Sequence, residues 1–101
     1  MSLDYRSLNT FPVIKTFSAS TSNMEILVPS NASFMTVQAA SHKIYVSTEG
    51  TDGGTPSAHR VEINSGGSIE LKLAKGYNRQ VSIYIATHAA ASADINLVFE
   101  E

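Results

Sequence analysis

Apolar and polar residues alternate along most of this chain, and the alternation leaves few folds open to it. The clearest run is residues 68–73, where isoleucine or leucine at every second position alternates with serine, glutamate and lysine. Successive side chains of an extended strand point to opposite faces, so such a run needs one dry face and one wet face. Almost no segment has the spacing of three and four that an amphipathic helix requires. The pattern therefore predicts an all-β protein.

The alternation predicts eight strands, over residues 11–17, 23–28, 33–39, 43–47, 60–64, 68–73, 80–86 and 93–99. In residues 33–39 the inward face is ambiguous, because Phe34 competes with Met35, Val37 and Ala39 for the core. Pro12 cannot donate to a strand ladder and indicates an edge strand or a strand start. The residues expected to face the core elsewhere are Phe11, Val13, Phe17, Met24, Ile26, Val28, Ile44, Val46, Val61, Ile63, Ile69, Leu71, Leu73, Val81, Ile83, Ile85, Ile95, Leu97 and Phe99.

Turn-forming residues separate these runs. Ser65, Gly66 and Gly67 lie between two alternating runs and predict a β-hairpin, because glycine adopts positive φ without steric cost. Residues 48–58 are rich in Gly, Thr and Pro and predict a mobile loop. Shorter loops are expected at residues 18–22, 29–32, 74–78 and 87–92.

Eight short strands in 101 residues predict a single antiparallel β-sandwich of the jelly-roll kind. In such a fold two sheets pack face to face and enclose one core. A small closed barrel is the alternative. The sandwich is expected to span residues 11–101, and residues 1–10 are expected to form a polar N-terminal arm.

Charge and composition exclude several classes of function. The net charge is −2 and the seven basic residues are scattered, so no patch for nucleic-acid phosphates is expected. The absence of cysteine excludes disulfides, thiolate zinc sites and cysteine catalysis. Residues 1–10 do not resemble a signal peptide, and no apolar run approaches the roughly 20 residues of a membrane span.

The sequence offers no motif for catalysis or for a cofactor. His42, His59 and His88 are widely spaced and form no metal-binding pattern. Glu49 and Asp52 precede two glycines but do not have the spacing of a calcium loop. No G-x-S-x-G motif occurs. We therefore expect a protein that is not an enzyme and that has no catalytic residue, metal or cofactor.

Three tyrosines are the candidate contact residues. Tyr45 and Tyr84 occupy outward positions in the alternation, and Tyr77 lies in a predicted turn. On one sheet face they could form a platform on which a sugar ring stacks. The other interpretation is that they pack under a loop or against a neighbouring subunit. A carbohydrate-binding or receptor-binding module is thus the alternative to a protein that acts through protein–protein contacts.

Low charge favours contacts with other subunits. Charged residues make up 16% of the chain, against roughly 25% in typical soluble domains. Natural β proteins commonly use charge to prevent association between exposed strands. A surface with few charges and several tyrosines is compatible with permanent subunit contacts. The composition thus favours a homo-oligomer.

Four motifs follow one another in the second half of the chain, over about residues 43–100. These are an Ile-Tyr-Val-Ser-Thr strand at 44–48 with a Gly/Thr/Pro loop, a Gly-Ser-Ile-Glu-Leu-Lys-Leu strand at 67–73, an Ile-Tyr-Ile strand at 83–85, and an Ala/Ser-rich turn before the last strand. In the order of these motifs the chain resembles small β-sandwich structural proteins of tailed bacteriophages.

The resemblance implies a structural role in the virion: head decoration, neck, or tail component. It also implies a homo-oligomer that docks onto other virion proteins after assembly in the host cytoplasm. The family pattern contains no catalytic residues, so none transfer to this chain. On this interpretation the N-terminal arm reaches onto a neighbouring subunit.

Overall fold

The computed structural model describes residues 2–73, 82–88 and 92–101. These residues form nine strands and no helix. Each of the eight predicted runs overlaps one of them, and the additional strand is the first. The strands are β1 (Ser2–Asp4), β2 (Val13–Ala19), β3 (Met24–Leu27), β4 (Phe34–Ala39), β5 (Ile44–Ser47), β6 (Val61–Ile63), β7 (Ser68–Lys72), β8 (Ser82–Thr87) and β9 (Ala93–Glu100).

The strands form two sheets whose pairing is that of a jelly roll. One sheet has the order β1-β3-β8-β5-β6, and the other has the order β2-β9-β4-β7. Four antiparallel pairs are nested in the sequence, each one inside the pair before it. From the outermost to the innermost, they are β2–β9, β3–β8, β4–β7 and β5–β6. Strand β1 adds to β3 in parallel. The predicted sandwich is confirmed, and the closed-barrel alternative is wrong, because each sheet ends at two edge strands.

The core lies between the two sheets and contains most of the residues that the alternation places there. Met35, Val37 and Ala39 are fully buried, which resolves the ambiguity of β4, and Phe34 lies half-buried on the opposite face. Val61 shares the inward face with its partner Val46, as predicted, but it is 47% exposed instead of buried. The predicted core residue Val81 lies outside the described residues, as does the predicted turn at 74–78.

The turn at Ser65–Gly67 exists, but the predicted hairpin is wrong. Strand β6 pairs with β5, whereas β7 pairs with β4, so the turn carries the chain from one sheet to the other. Gly66 has a φ of 85°, and its N–H donates to the Ala39 carbonyl at 2.7 Å. Alternation cannot distinguish the two connections, because both leave the apolar faces of the two strands toward the core.

The N-terminal segment is not a free polar arm. Strand β1 lies beside β3, and the Tyr5 N–H donates to the Leu27 carbonyl at 2.9 Å. The half-buried side chains of Leu3, Tyr5 and Leu8 pack against the core. The described part of residues 1–10 is therefore part of the sandwich. No helix in the described part of the chain could span a membrane.

Candidate interaction site

The structure places Tyr45 and Tyr84 together on the outer face of the five-stranded sheet, whereas the alternation predicts only that each faces outward. Tyr45 lies opposite Ala86, and Tyr84 lies opposite Ser47, so the two tyrosines are diagonal neighbours on β5 and β8. Diagonal side chains on adjacent strands are about 7–8 Å apart. The third candidate, Tyr77, lies outside the described residues. The question is then whether the rings of the two placed tyrosines are accessible.

Tyr45 is covered by side chains of its own chain. The Arg60 guanidinium lies 3.9 Å from the centre of the Tyr45 ring, in a cation–π contact. The His88 ring contacts the tyrosine edge-on, and its Nδ1 is hydrogen-bonded to the Tyr45 hydroxyl. Only 8% of Tyr45 is exposed. Tyr45 is therefore buried, although its position in the strand faces outward.

Tyr84 is covered by the chain that follows β5. A β-carbon at Gly50 would lie 3.7 Å from Tyr84 Cγ and only 2.8 Å from Asn23 Nδ2, so glycine permits this close approach. The Tyr84 hydroxyl donates to Glu25 Oε2 at 3.2 Å. Burial raises the pKa of the Tyr84 phenol, and the hydrogen bond to the Glu25 carboxylate raises it further.

The predicted mobile loop at residues 48–58 is instead tied to the outer face of the five-stranded sheet. Asn23 provides three of the ties: its N–H donates to the Gly54 carbonyl, its carbonyl accepts from the Gly53 N–H, and its side-chain amide donates to the Thr55 carbonyl, all at 2.8–3.0 Å. A further bond joins the Glu25 N–H to Asp52 Oδ1 at 3.2 Å. The loop therefore acts as a fixed cover over Tyr84.

The packing around the two tyrosines weighs against the carbohydrate-binding alternative. A stacking platform needs open ring faces, whereas Arg60 lies over Tyr45, and Tyr84 is half-buried with Gly50 close to its Cγ. The packing interpretation of the tyrosines, in which a loop covers them, fits the structure better. Binding of a glycan stays a prediction that these two residues do not support.

The histidines occupy different surroundings. His42 and His59 are exposed in loops, and His88 is hydrogen-bonded to the Tyr45 hydroxyl. In the described ranges no group of three or more metal-binding side chains comes together.

An open apolar cleft lies at one side of the sandwich, between the edge strands β6 and β7. Val46, Val61, Ile69 and Leu71 form its apolar lining, and its volume is about 220 Å³. Its rim carries polar and basic side chains, namely Ser47, Thr48, His59 and Arg60. We call this feature the side cleft. Val61 is exposed because it lines the side cleft, although it shares the inward face with its cross-strand partner Val46.

The opposite side of the sandwich, at β1 and β2, is closed by the N-terminal segment. The Tyr5 ring meets the Phe99 ring edge-on, with centres 5.7 Å apart. Lys15 Nζ lies 5.9 Å from the centre of the Tyr5 ring. Leu8 and Phe11 pack beside them, half-buried. Each of the two sides therefore ends in edge strands, but only one has a covering segment in the described chain.

No segment in the described part of the chain lies over the outer face of the four-stranded sheet, and its charged residues Asp94, Glu100 and Lys72 lie in the flanking rows. One central row carries Ile14, Val98, Thr36 and Glu70, and the next carries Thr16, Asn96, Gln38 and Ser68. Asn96 links the second row: its amide donates to Gln38 Oε1 at 2.9 Å, and its oxygen accepts from Thr16 at 3.1 Å. Ile14 is 70% exposed on the edge strand β2.

Sequence reasoning missed both Ile14 and the side cleft. A signal for Ile14 was present, because two apolar residues in succession, Val13 and Ile14, cannot both face the core of an edge strand. No local signal reveals the side cleft, since its lining residues follow the same alternation as the core.

Comparison of the chain with models of protein families, with curated proteins and with solved structures finds no significant match.

Proposed function

We propose that this protein is a non-enzymatic structural protein that acts by self-association, and that it serves as a head decoration, neck or tail component of a phage particle. The jelly roll is one of the architectures from which capsid proteins are built, although it hosts other functions as well. The strand motifs at residues 43–100 add the resemblance to phage structural proteins. On this proposal the partners are further copies of the chain and other virion proteins.

The observation that carries the proposal is the outer face of the four-stranded sheet. Its two central rows contain one charged residue, Glu70, and that residue lies on an edge strand. Ile14 projects from the opposite edge with 70% of its surface in water. A protein that stays single normally protects its strand edges with charge. Few charges and an exposed aliphatic side chain are what a subunit contact requires.

Self-association is tested by measuring the solution mass with light scattering after size exclusion, over a wide range of protein concentration. We expect a defined oligomer of the 10.8 kDa chain. A strict monomer at every concentration would contradict the proposal.

The assignment to a phage particle is tested separately. We expect peptides of this chain in particles purified from the phage whose genome encodes it, recovered at a fixed ratio to the major capsid or tail protein. If the chain is expressed during infection but is missing from washed particles, the virion role is wrong, even where the protein forms an oligomer.

A further inference from the structure

Two large apolar side chains are classed as exposed among the described residues, and they lie at opposite sides of the molecule. Ile14 projects from β2, an edge of the four-stranded sheet, and is 70% exposed. Val61 lies on β6, an edge of the five-stranded sheet, and is 47% exposed at the side cleft. Ile14 projects from the surface, whereas Val61 lines a depression. Surfaces of complementary shape at opposite ends of one subunit are the requirement for a head-to-tail contact.

We propose that the side cleft of one copy receives Ile14 of the next, so that the copies associate head to tail. This inference rests on the proposed self-association and specifies the surfaces that carry it. The cleft has a volume of about 220 Å³, and a cavity of about 150 Å³ in another protein holds a benzene molecule. An isoleucine side chain therefore fits, and Val46, Val61 and Leu71 supply apolar contacts around it.

The charges around the two surfaces are complementary. Glu100 lies on the same face as Val98, which is the cross-strand partner of Ile14, and Glu101 follows it; both glutamates are exposed. The rim of the side cleft carries Arg60 and His59. The Arg60 guanidinium lies over the Tyr45 ring, donates to the Ser57 carbonyl at 3.1 Å and makes a long ion pair of 3.8 Å with Glu62, so its charge stays at the rim in a fixed position. Charge complementarity of this kind orients a contact and excludes other registers.

Lys15 opposes continuous pairing of β2 with an edge strand of the next copy. It therefore favours a contact that is made through the Ile14 side chain. It follows Ile14 on β2 and shares the inward face with its partner Leu97, and its ammonium lies over the Tyr5 ring. A charged residue that points inward on an edge strand opposes the addition of a further strand. Ile14 points outward from the same strand and is free to enter a cleft.

A head-to-tail contact has a property that a two-fold symmetric contact lacks: each subunit carries two different halves of the interface. A variant that has lost one half can still bind a variant that has lost the other half. The two variants together then form a pair and no larger species, because only one intact contact is present. Repetition of the intact contact in the unaltered protein gives a ring or an open filament.

The test uses Ile14→Asp and Val61→Asp in the full chain, with mass measured by light scattering and folding checked by circular dichroism. Both side chains are exposed, so both variants are expected to fold. We expect the unaltered protein to form an oligomer, each variant alone to run at the 10.8 kDa monomer mass, and an equimolar mixture to give a species of twice that mass. Thr21→Asp, which adds the same charge in the exposed loop between β2 and β3, outside the proposed contact surfaces, is the control and should keep the oligomer.

The outcomes separate the two proposals. If the unaltered protein is a monomer at all concentrations, self-association itself is wrong. If it forms an oligomer and both variants keep that mass, the protein self-associates through other surfaces and only the head-to-tail contact is wrong. If each variant is a monomer but the mixture also stays monomeric, Ile14 and the side cleft are not partners. Should Val61→Asp be misfolded, Val61→Thr replaces it in the same mixture.

Discussion

The gap between the two sheets is covered at one side of this sandwich and open at the other. At β1 and β2 the N-terminal segment lies across the gap between the sheets, and the Tyr5 ring rests against Phe99. At β6 and β7 no described segment crosses the gap, and Val61 faces water over Ile69 and Leu71. The strands themselves do not differ in kind, since both sides consist of short edge strands with apolar residues facing inward.

The difference teaches that a sandwich side is sealed by a covering segment and not by its edge strands. A seal made by the same chain contributes to the stability of the single subunit. A seal supplied by a second copy contributes to assembly instead, because its apolar contacts form only on association. The closed side should therefore respond to substitution in unfolding experiments, and the open side in association experiments.

The largest effect is expected from a charge placed in the interior, in comparison with the same charge at the side cleft. Ile83 is 1% exposed, so Ile83→Asp should prevent folding through an unpaired buried charge that costs more than about 4 kcal/mol. Leu71 is half-buried in the cleft lining. Leu71→Asp can hydrate its carboxylate there and should give a folded protein, destabilised by about 1–3 kcal/mol.

Urea unfolding followed by circular dichroism measures both variants. The alternation alone predicts that both charges prevent folding, because Leu71 and Ile83 occupy equivalent inward positions. An unfolded Leu71→Asp would show that the side cleft is not open to water, and the comparison of the two sides would fail. A folded, soluble Ile83→Asp would refute the inward direction of β8.

The next effect tests the closed side. Deletion of residues 1–10 removes three half-buried side chains, those of Leu3, Tyr5 and Leu8, and exposes the core beneath them. At roughly half of the 1.5–3 kcal/mol that a fully buried side chain contributes, the loss is about 3 kcal/mol. We expect the urea midpoint to fall accordingly. The single substitution Tyr5→Ala should cost about 1–2 kcal/mol.

A polar arm that reaches onto a neighbouring subunit would behave differently. Its deletion would reduce the mass of the oligomer and leave the unfolding of the monomer unchanged. The matched measurement is therefore made on Ile14→Asp, which is expected to be monomeric. An unchanged urea midpoint after deletion of residues 1–10 in that background would show that the segment does not seal the closed side.

The burial of Tyr5 gives a smaller effect that appears only at alkaline pH. Burial raises the pKa of the Tyr5 phenol, whereas an exposed tyrosine ionises near pH 10. Above that pH the unfolded chain loses the proton that the folded chain keeps. The burial of Tyr5 therefore contributes stability that is present below about pH 10 and is lost as the pH rises through the folded-state pKa.

Tyr5→Phe tests this in thermal unfolding between pH 8 and 11.5. We expect the fall in Tm above pH 10 to be shallower in the variant than in the unaltered protein. Tyr84→Phe is the control for the second tyrosine with a raised pKa. If Tyr5→Phe leaves the alkaline fall in Tm unchanged and Tyr84→Phe removes it, the Tyr5 hydroxyl is exposed and the seal is looser than the structure indicates.

How much of this was predictable depends on whether a feature is local in sequence. The approximate positions of eight strands and the facing of β5 through β9 follow from a period of two, which any extended segment displays. The inward face of residues 95–99 was predicted correctly for that reason. The connection at Ser65–Gly67 was not, because a turn between two half-buried strands looks the same whether the strands share a sheet or lie in opposite sheets.

The candidate site was less predictable than the fold, since it is defined by what lies over each residue. Tyr45 was placed correctly on the outer face, but its burial depends on Arg60 and His88, which come from distant parts of the chain. Val61 and Val46 follow the same alternation and face each other across β5 and β6. Val61 is exposed only because no described segment closes the gap at β6 and β7. The alternation of apolar and polar residues carries no information about such a segment.

The smallest effect on stability is the most direct comparison of an open with a covered position. Val46 and Val61 are the same residue type on paired positions of adjacent strands, yet they are 4% and 47% exposed. Val46→Ala should cost about 2 kcal/mol in the urea unfolding of the monomer. Val61→Ala should cost no more than about 0.5 kcal/mol. In the oligomer the order should reverse: Val61→Ala removes two methyl groups from the surface that receives Ile14 and should weaken association, whereas Val46→Ala should act mainly on folding. Equal losses of monomer stability would mean that the gap at β6 and β7 is closed in solution by the chain itself, and the two sides would then be alike.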